Sequence, residues 1–112
     1  MTVAEPAIVD PVTRAAATLA GRRVAVVGGG ATGASAVRFL QRAGADVALT
    51  DDRPDPPGLA ELGPQRPELS LGALDGSLLA GAELVVVSPG VDPSEPALAR
   101  ARAAGVPLIG DV

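Results

Sequence analysis

Gly28-Gly29-Gly30-Ala31-Thr32-Gly33 is the stretch of this 112-residue chain whose residue types and spacing point most directly to chemistry. Gly28, Gly30 and Gly33 satisfy G-x-G-x-x-G, with an apolar run before them and a helical pattern after them. In such a turn the first glycine permits the tight bend and the second lets backbone approach a phosphate. The third allows close packing of helix on strand. The helix N-terminus that follows offers unpaired N–H groups and a partial positive charge to an anion. Thr32 can add a hydroxyl donor there or cap the helix. A plain strand-to-helix turn, glycine-rich for steric reasons alone, is the competing reading.

Two further groups fall where a nucleotide would be met. Asp51 closes a second apolar run, 18 residues after Gly33, at the place where nucleotide-binding folds present an acid to a ribose hydroxyl. Asp52 and Arg53 follow it. Arg53 can pair with phosphate, stack on a planar base, or sit in solvent paired with Asp52 or Asp55. Ser88-Pro89-Gly90 ends a third apolar run: Pro89 keeps Ser88 extended and Gly90 lets the chain turn toward a ligand.

Composition removes most catalytic chemistries. His and Cys are absent, and all nine basic residues are arginine. Thiol catalysis, disulfides, a histidine base, a lysine Schiff base and a P-loop lysine are therefore excluded. No catalytic residue and no metal ligand is expected. A net charge of −4 and a single aromatic residue, Phe39, argue against a nucleic-acid surface. No apolar run approaches the ~20 residues of a membrane span, and no basic segment followed by an apolar run opens the chain. A cytoplasmic protein is expected.

The elements that must position these residues read as alternating strands and helices. Strands are expected at 23–27, 46–50, 68–71, 84–87 and 107–109, and helices at 32–43, 77–80 and 96–104, with one helical turn at 59–62. The helix at 32–43 carries Ala36, Val37, Phe39, Leu40 and Ala43 on its apolar stripe. Residues 51–58, with Pro54, Pro56 and Pro57, read as a stiff charged loop. The alternation predicts a Rossmann-like, doubly wound α/β fold: five parallel strands in the order 3-2-1-4-5. In that order the loops that begin at Gly28, Asp51 and Ser88 converge at the switch point. Residues 1–20 read as a lead-in, with a short helix or a mobile stretch at 12–20, and 21–112 as one domain. The chain ends just after its last expected strand, as a domain tethered to another would.

The set Val24–Gly33, Asp51-Asp52-Arg53 with Pro56-Pro57-Gly58-Leu59, Val86–Val91 and Gly105–Asp111 resembles the N-terminal domain of the Mur ligases. Within that family it is most similar to the type that adds D-glutamate. The resemblance covers residues 21–112 with the motifs in the right order, and it implies a cytoplasmic, three-domain, ATP-dependent enzyme of peptidoglycan synthesis. It implies that this domain holds the UDP part of UDP-N-acetylmuramoyl-L-alanine. ATP, Mg²⁺ and the catalytic residues belong to a central domain, and D-glutamate to a C-terminal one. By the same resemblance Ala31, Thr32 and the glycines Gly28, Gly30 and Gly33 meet diphosphate and uridine. Asp51, Asp52 and Arg53 border the uracil, and Ser88, Pro89 and Gly90 line the ribose side. Gly29 stands where the family often has a larger apolar residue, and Asp52 where it often has a small hydroxyl residue. A monomer is expected, inactive by itself. Two alternatives stay open on the residues alone: an NAD(P)-binding domain of an oxidoreductase, and a non-catalytic nucleotide-sensing module.

Overall fold

The computed structural model describes residues 19–110. The readings made above for residues 1–18, and for Asp111 and Val112, lie outside them. Five strands run Arg23–Val27 (β1), Asp46–Asp51 (β2), Glu68–Leu71 (β3), Leu84–Val87 (β4) and Leu108–Gly110 (β5). Between them lie helices Ala31–Arg42 (α1), Gly76–Ala80 (α2) and Pro96–Ala103 (α3), with a 3₁₀ helix at Pro57–Glu61. All four strand pairings are parallel and the order is β3-β2-β1-β4-β5. The fold is the five-stranded doubly wound sheet predicted from the sequence.

β1 is central because its residues suit a strand covered on both faces. Val24, Ala25, Val26 and Val27 are each 0% exposed. Strand alternation sends Val24 and Val26 to one face, where they meet Leu49 of β2 and Val37 and Leu40 of α1. Ala25 and Val27 point to the other, against Val85 of β4, Leu79 of α2, and Leu98 and Ala101 of α3. Two aliphatic layers thus clamp the sheet, and burial of the Val and Leu side chains, about 1.5–3 kcal/mol each, holds the strand ends in register.

Several boundaries differ from the sequence reading by one or two residues. β2 runs through Asp51 rather than stopping at Thr50, because Asp51 pairs in register with Leu71 of β3. The 3₁₀ helix begins at Pro57, so the proline-rich loop is not wholly irregular: Pro57 supplies the fixed φ that opens it. β5 spans 108–110 instead of 107–109. Phe39 leaves the predicted apolar stripe, standing 36% exposed while Val37 and Leu40 carry the burial. Leu19 packs on the α1-side core, and the amide of Gly21 donates to the carbonyl of Gly44 at 2.8 Å. The folded unit therefore includes residues 19 and 20.

Thr50, fully buried, organises the edge of the sheet nearest the site. Its hydroxyl accepts from the amide of Asp75 at 3.1 Å and donates to the carbonyl of Ala73 at 3.4 Å. The Asp75 carboxylate caps α2 through the amide of Leu78, and Ser70 Oγ donates to it at 3.0 Å. The residue between those two anchors is Leu74.

Candidate functional site

The three predicted loops converge. A cleft of about 470 Å³ opens at the carboxyl ends of β1, β2 and β4. Gly28, Gly30, Ala31, Thr32, Gly33, Asp51, Asp52, Arg53, Ser88, Pro89 and Gly90 all line it. Leu74, Val91, Asp92 and Glu95 complete the wall. Val91 and Asp92 directly continue the Ser-Pro-Gly turn, an adjacency the sequence did offer. Leu74, in an unpatterned loop, gave no signal.

Gly28 ties the three strand ends together. Its amide donates to the carbonyl of Thr50 at 2.9 Å, and its own carbonyl accepts from Ser88 Oγ at 3.3 Å. Its φ of +103° is one that side chains with a Cβ rarely adopt, and a Cβ there would meet Ser88 Cβ at 2.9 Å. Gly33 packs α1 on the turn so closely that a Cβ would overlap the Gly28 carbonyl oxygen. Gly30 is different. Its backbone is extended, and nothing lies within 4 Å of where its Cβ would be.

Gly30 is also the N-cap of α1, and no side chain caps the helix. Thr32 therefore does not cap; it lies exposed in the first turn. The first helical backbone bond runs from the amide of Ala34 to the carbonyl of Gly30 at 2.9 Å. Helix geometry leaves the amides of Gly30 through Gly33 without intrahelical partners, at the positive end of the helix dipole and on the cleft.

Asp51 is 2% exposed and its carboxylate accepts four hydrogen bonds. Oδ2 takes the amide of Gly29 at 2.6 Å and Arg53 Nη2 at 2.8 Å. Oδ1 takes the amide and Nε of Arg53 at 2.8 and 2.9 Å. The guanidinium, aided by those two amides, holds the Asp51 carboxyl far below the usual range despite its burial. In turn Asp51 raises Arg53. The arginine's partner is thus Asp51, not Asp52 or Asp55, because a two-residue offset brings its fork onto both carboxylate oxygens. The planar guanidinium is fixed in orientation at the rim of the cleft.

The proline loop lies against the glycine turn, a contact the sequence reading did not include. The amide of Gly58 donates to the carbonyl of Gly29 at 2.7 Å, and buried Pro56 fills the space beside Gly29. A Cβ at Gly29 would meet Pro56 Cβ at 2.8 Å and Cγ at 2.9 Å. Position 29 is small here because Pro56 already occupies the volume a larger residue would need.

On the opposite wall Ser88-Pro89-Gly90-Val91 forms a turn, with Gly90 at φ +91° and the amide of Val91 donating to the Ser88 carbonyl at 3.4 Å. Asp92 accepts from both the amide and Oγ of Ser94, which lower its pKa and lead the chain into α3. Among the described residues, the cleft carries four carboxylates, Asp51, Asp52, Asp92 and Glu95, against the single cation of Arg53. Besides Arg53, the groups of positive polarity on the cleft are backbone amides. Among the described residues, no group of three or more Asp or Glu is placed to hold a metal ion.

Residues 22–110 match the family described as Mur ligase MurD-like, N-terminal domain. The chain belongs to that family. It is 51% identical over 89 residues to UDP-N-acetylmuramoylalanine–D-glutamate ligase of Nitrosococcus oceani, and 47% identical over 96 residues to that of Thiobacillus denitrificans. These matches cover 78% and 84% of this chain and 20% of each relative, so the chain spans about a fifth of their length. Among solved structures, a pseudomurein peptide ligase type C from Methanothermus fervidus matches with a TM-score of 0.68 at 25% identity. That match covers 80% of this chain and 19% of the other. The relatives are ligases. This MurD-like domain carries a switch-point cleft with an uncapped helix terminus and a fixed arginine.

Proposed function

We propose that this domain holds the uridine diphosphate part of UDP-N-acetylmuramoyl-L-alanine for a D-glutamate-adding ligase of peptidoglycan synthesis. The observation that carries the reading is Gly30. Gly28 and Gly33 are demanded by contacts within the protein, whereas the space beside Gly30 is empty and faces the unpaired amides of Gly30 to Gly33. A glycine with no internal reason, at a helix N-terminus, fits a diphosphate that must come close to backbone. Asp52 and Arg53 then border the base and Ser88 to Gly90 the ribose. Named relatives of this function, five times longer than the matched segment, support the substrate.

The domain binds and does not catalyse. ATP, Mg²⁺ and the amino acid are handled by other parts of the ligase, and the activation of the substrate carboxylate and attack by the amine occur there. On this reading the domain works in the cytoplasm as a monomer, with neither nucleic acid nor membrane as partner. No described helix is long and apolar enough to cross a membrane. An NAD(P) site is the weaker reading. The Asp51 carboxylate, which would have to receive a ribose hydroxyl, already accepts four protein donors. Calorimetric or NMR titration with UDP and, separately, NADH tests the proposal. UDP binding in the micromolar to millimolar range is expected. Binding of NADH with none of UDP at millimolar concentration overturns it.

A further inference from the structure

The amides that face the cleft are aimed by the peptide that precedes them, and that peptide is gripped from outside the glycine motif. The Gly29 amide is held by Asp51 Oδ2 at 2.6 Å, and the Gly29 carbonyl by the amide of Gly58 at 2.7 Å. Its Cα is backed by the ring of Pro56, itself fully buried. A Cβ on Gly58 would overlap the carbonyl oxygens of both Gly29 and Gly30. Backbone thus lies directly on backbone across these two segments. Both polar groups of Gly29 are engaged, so this peptide cannot itself serve a ligand. What it can do is fix the direction of the next four amides.

We propose that the loop after β2 is a clamp for the phosphate-facing turn, with Pro56 and Gly58 as positioning residues of the nucleotide site. The inference rests on the reading of the cleft as a uridine-diphosphate site. It adds that the affinity for the diphosphate, as distinct from the nucleoside, is set by residues that do not line the cleft. Asp51 stands between the two ends of the ligand. One of its flanks holds the phosphate turn through Gly29 and the other holds Arg53 beside the base.

Gly58 gives a clean test. Its φ is not in the left-handed region, so its own backbone accepts alanine, and the obstacle is the pair of carbonyls it faces. In the 112-residue chain, Gly58→Ala is expected to weaken UDP binding at least 5-fold while changing uridine binding less than 2-fold, measured by NMR titration. Pro56→Ala, which keeps Cβ but removes the ring Cγ beside Gly29 and opens the ring, should weaken UDP about 3-fold with uridine again unmoved. A role confined to general stability would move the melting temperature and both ligands together. Equal factors for UDP and uridine, or no change in either with the fold intact, overturn the clamp. If Gly58→Ala does not fold, Pro56→Ala decides by the same criterion. Failure of the unsubstituted chain to bind UDP overturns the site reading, and the clamp with it; UDP binding that Gly58→Ala and Pro56→Ala leave unchanged overturns the clamp alone.

Discussion

Replacing Asp51 by asparagine removes one charge and one acceptor from a carboxylate with four donors converging on it. Asn presents one oxygen and one NH₂ group, so whichever way it is placed the NH₂ faces two N–H donors. With the oxygen toward Gly29, the 2.6 Å bond survives but becomes neutral, and the Arg53 amide, 2.8 Å from Oδ1, loses its acceptor. With the amide reversed, the buried N–H of Gly29 is the group left unmet. A hydrogen bond to a charged partner contributes about 1.5–3 kcal/mol, a neutral one about 1, and an unmet buried donor costs about 1–3. The expected loss is therefore about 2–3 kcal/mol. The exposed Arg53 guanidinium adds nothing to that figure, because water replaces its partner. For a domain of this size each kcal/mol moves the melting temperature by about 4–8 °C, so Asp51→Asn should melt roughly 10–20 °C lower. Thermal unfolding followed by circular dichroism reads this directly. A shift below about 3 °C would show that the four short contacts carry little of the stability attributed to them.

Other consequences follow from the same geometry. Gly30→Ala should leave the melting temperature within a few degrees of the parent, since its backbone is extended and the space beside it is open, yet it should weaken UDP at least 10-fold; equal UDP affinity in calorimetry would refute the phosphate assignment. Gly33→Ala should fail to give a folded protein by heteronuclear NMR, because its Cβ would overlap the Gly28 carbonyl. Thr50→Val keeps shape but strips the acceptor from the Asp75 amide, with an expected cost of about 1–3 kcal/mol in urea unfolding. On acidification, Asp51, Asp75 and Asp92 all have folded-state pKa values lowered by their donors. Their stabilisation is present above the unfolded carboxyl pKa of about 4 and is lost as pH falls through the folded values. Stability should thus be flat from pH 8 to 5, the chain having no His or Cys, and fall below about pH 4. Asp51→Asn should flatten that acid limb, and an unchanged limb would assign it to other carboxylates.

The sheet was legible because its signals are local. Val24–Val27 and Leu84–Val87 are continuous apolar runs bounded by turn residues, and each became a strand with the bounds its sequence suggested. The convergence of Gly28, Asp51 and Ser88 followed from strand order, which the alternation of elements constrains. What escaped were pairings that depend on three-dimensional approach. The sequence offered Arg53 two acidic neighbours, Asp52 and Asp55, at equal standing. Only the end of β2, which carries Asp51 into the sheet, decides that the buried carboxylate takes the fork. Pro54, Pro56 and Pro57 gave a composition signal, stiffness, but not its purpose. Nothing in a one-dimensional string shows that two glycines 29 residues apart, Gly29 and Gly58, lie backbone to backbone.

The glycines of the turn can now be separated by what requires each of them. Gly28 is required by its own φ and by Ser88, Gly29 by Pro56, and Gly33 by the carbonyl beneath α1. These three would be selected by the fold even if no ligand ever bound, so their presence says little about function. Gly30 has no such requirement within the protein. A G-x-G-x-x-G string weighs all its glycines alike, whereas the proposed ligand contact rests on the one that folding could do without. The same logic applies to Asp51. Its position at the end of β2 suggests a ribose acceptor, but its four protein donors account for it as scaffold. On the proposed reading, recognition of the nucleotide is left to groups that internal structure leaves open: the amides from Gly30 to Gly33 and the outward face of Arg53. A cleft with four carboxylates and one engaged cation among the described residues has little electrostatic pull on a diphosphate, so on the proposed reading its affinity comes from amides already aimed before the ligand arrives.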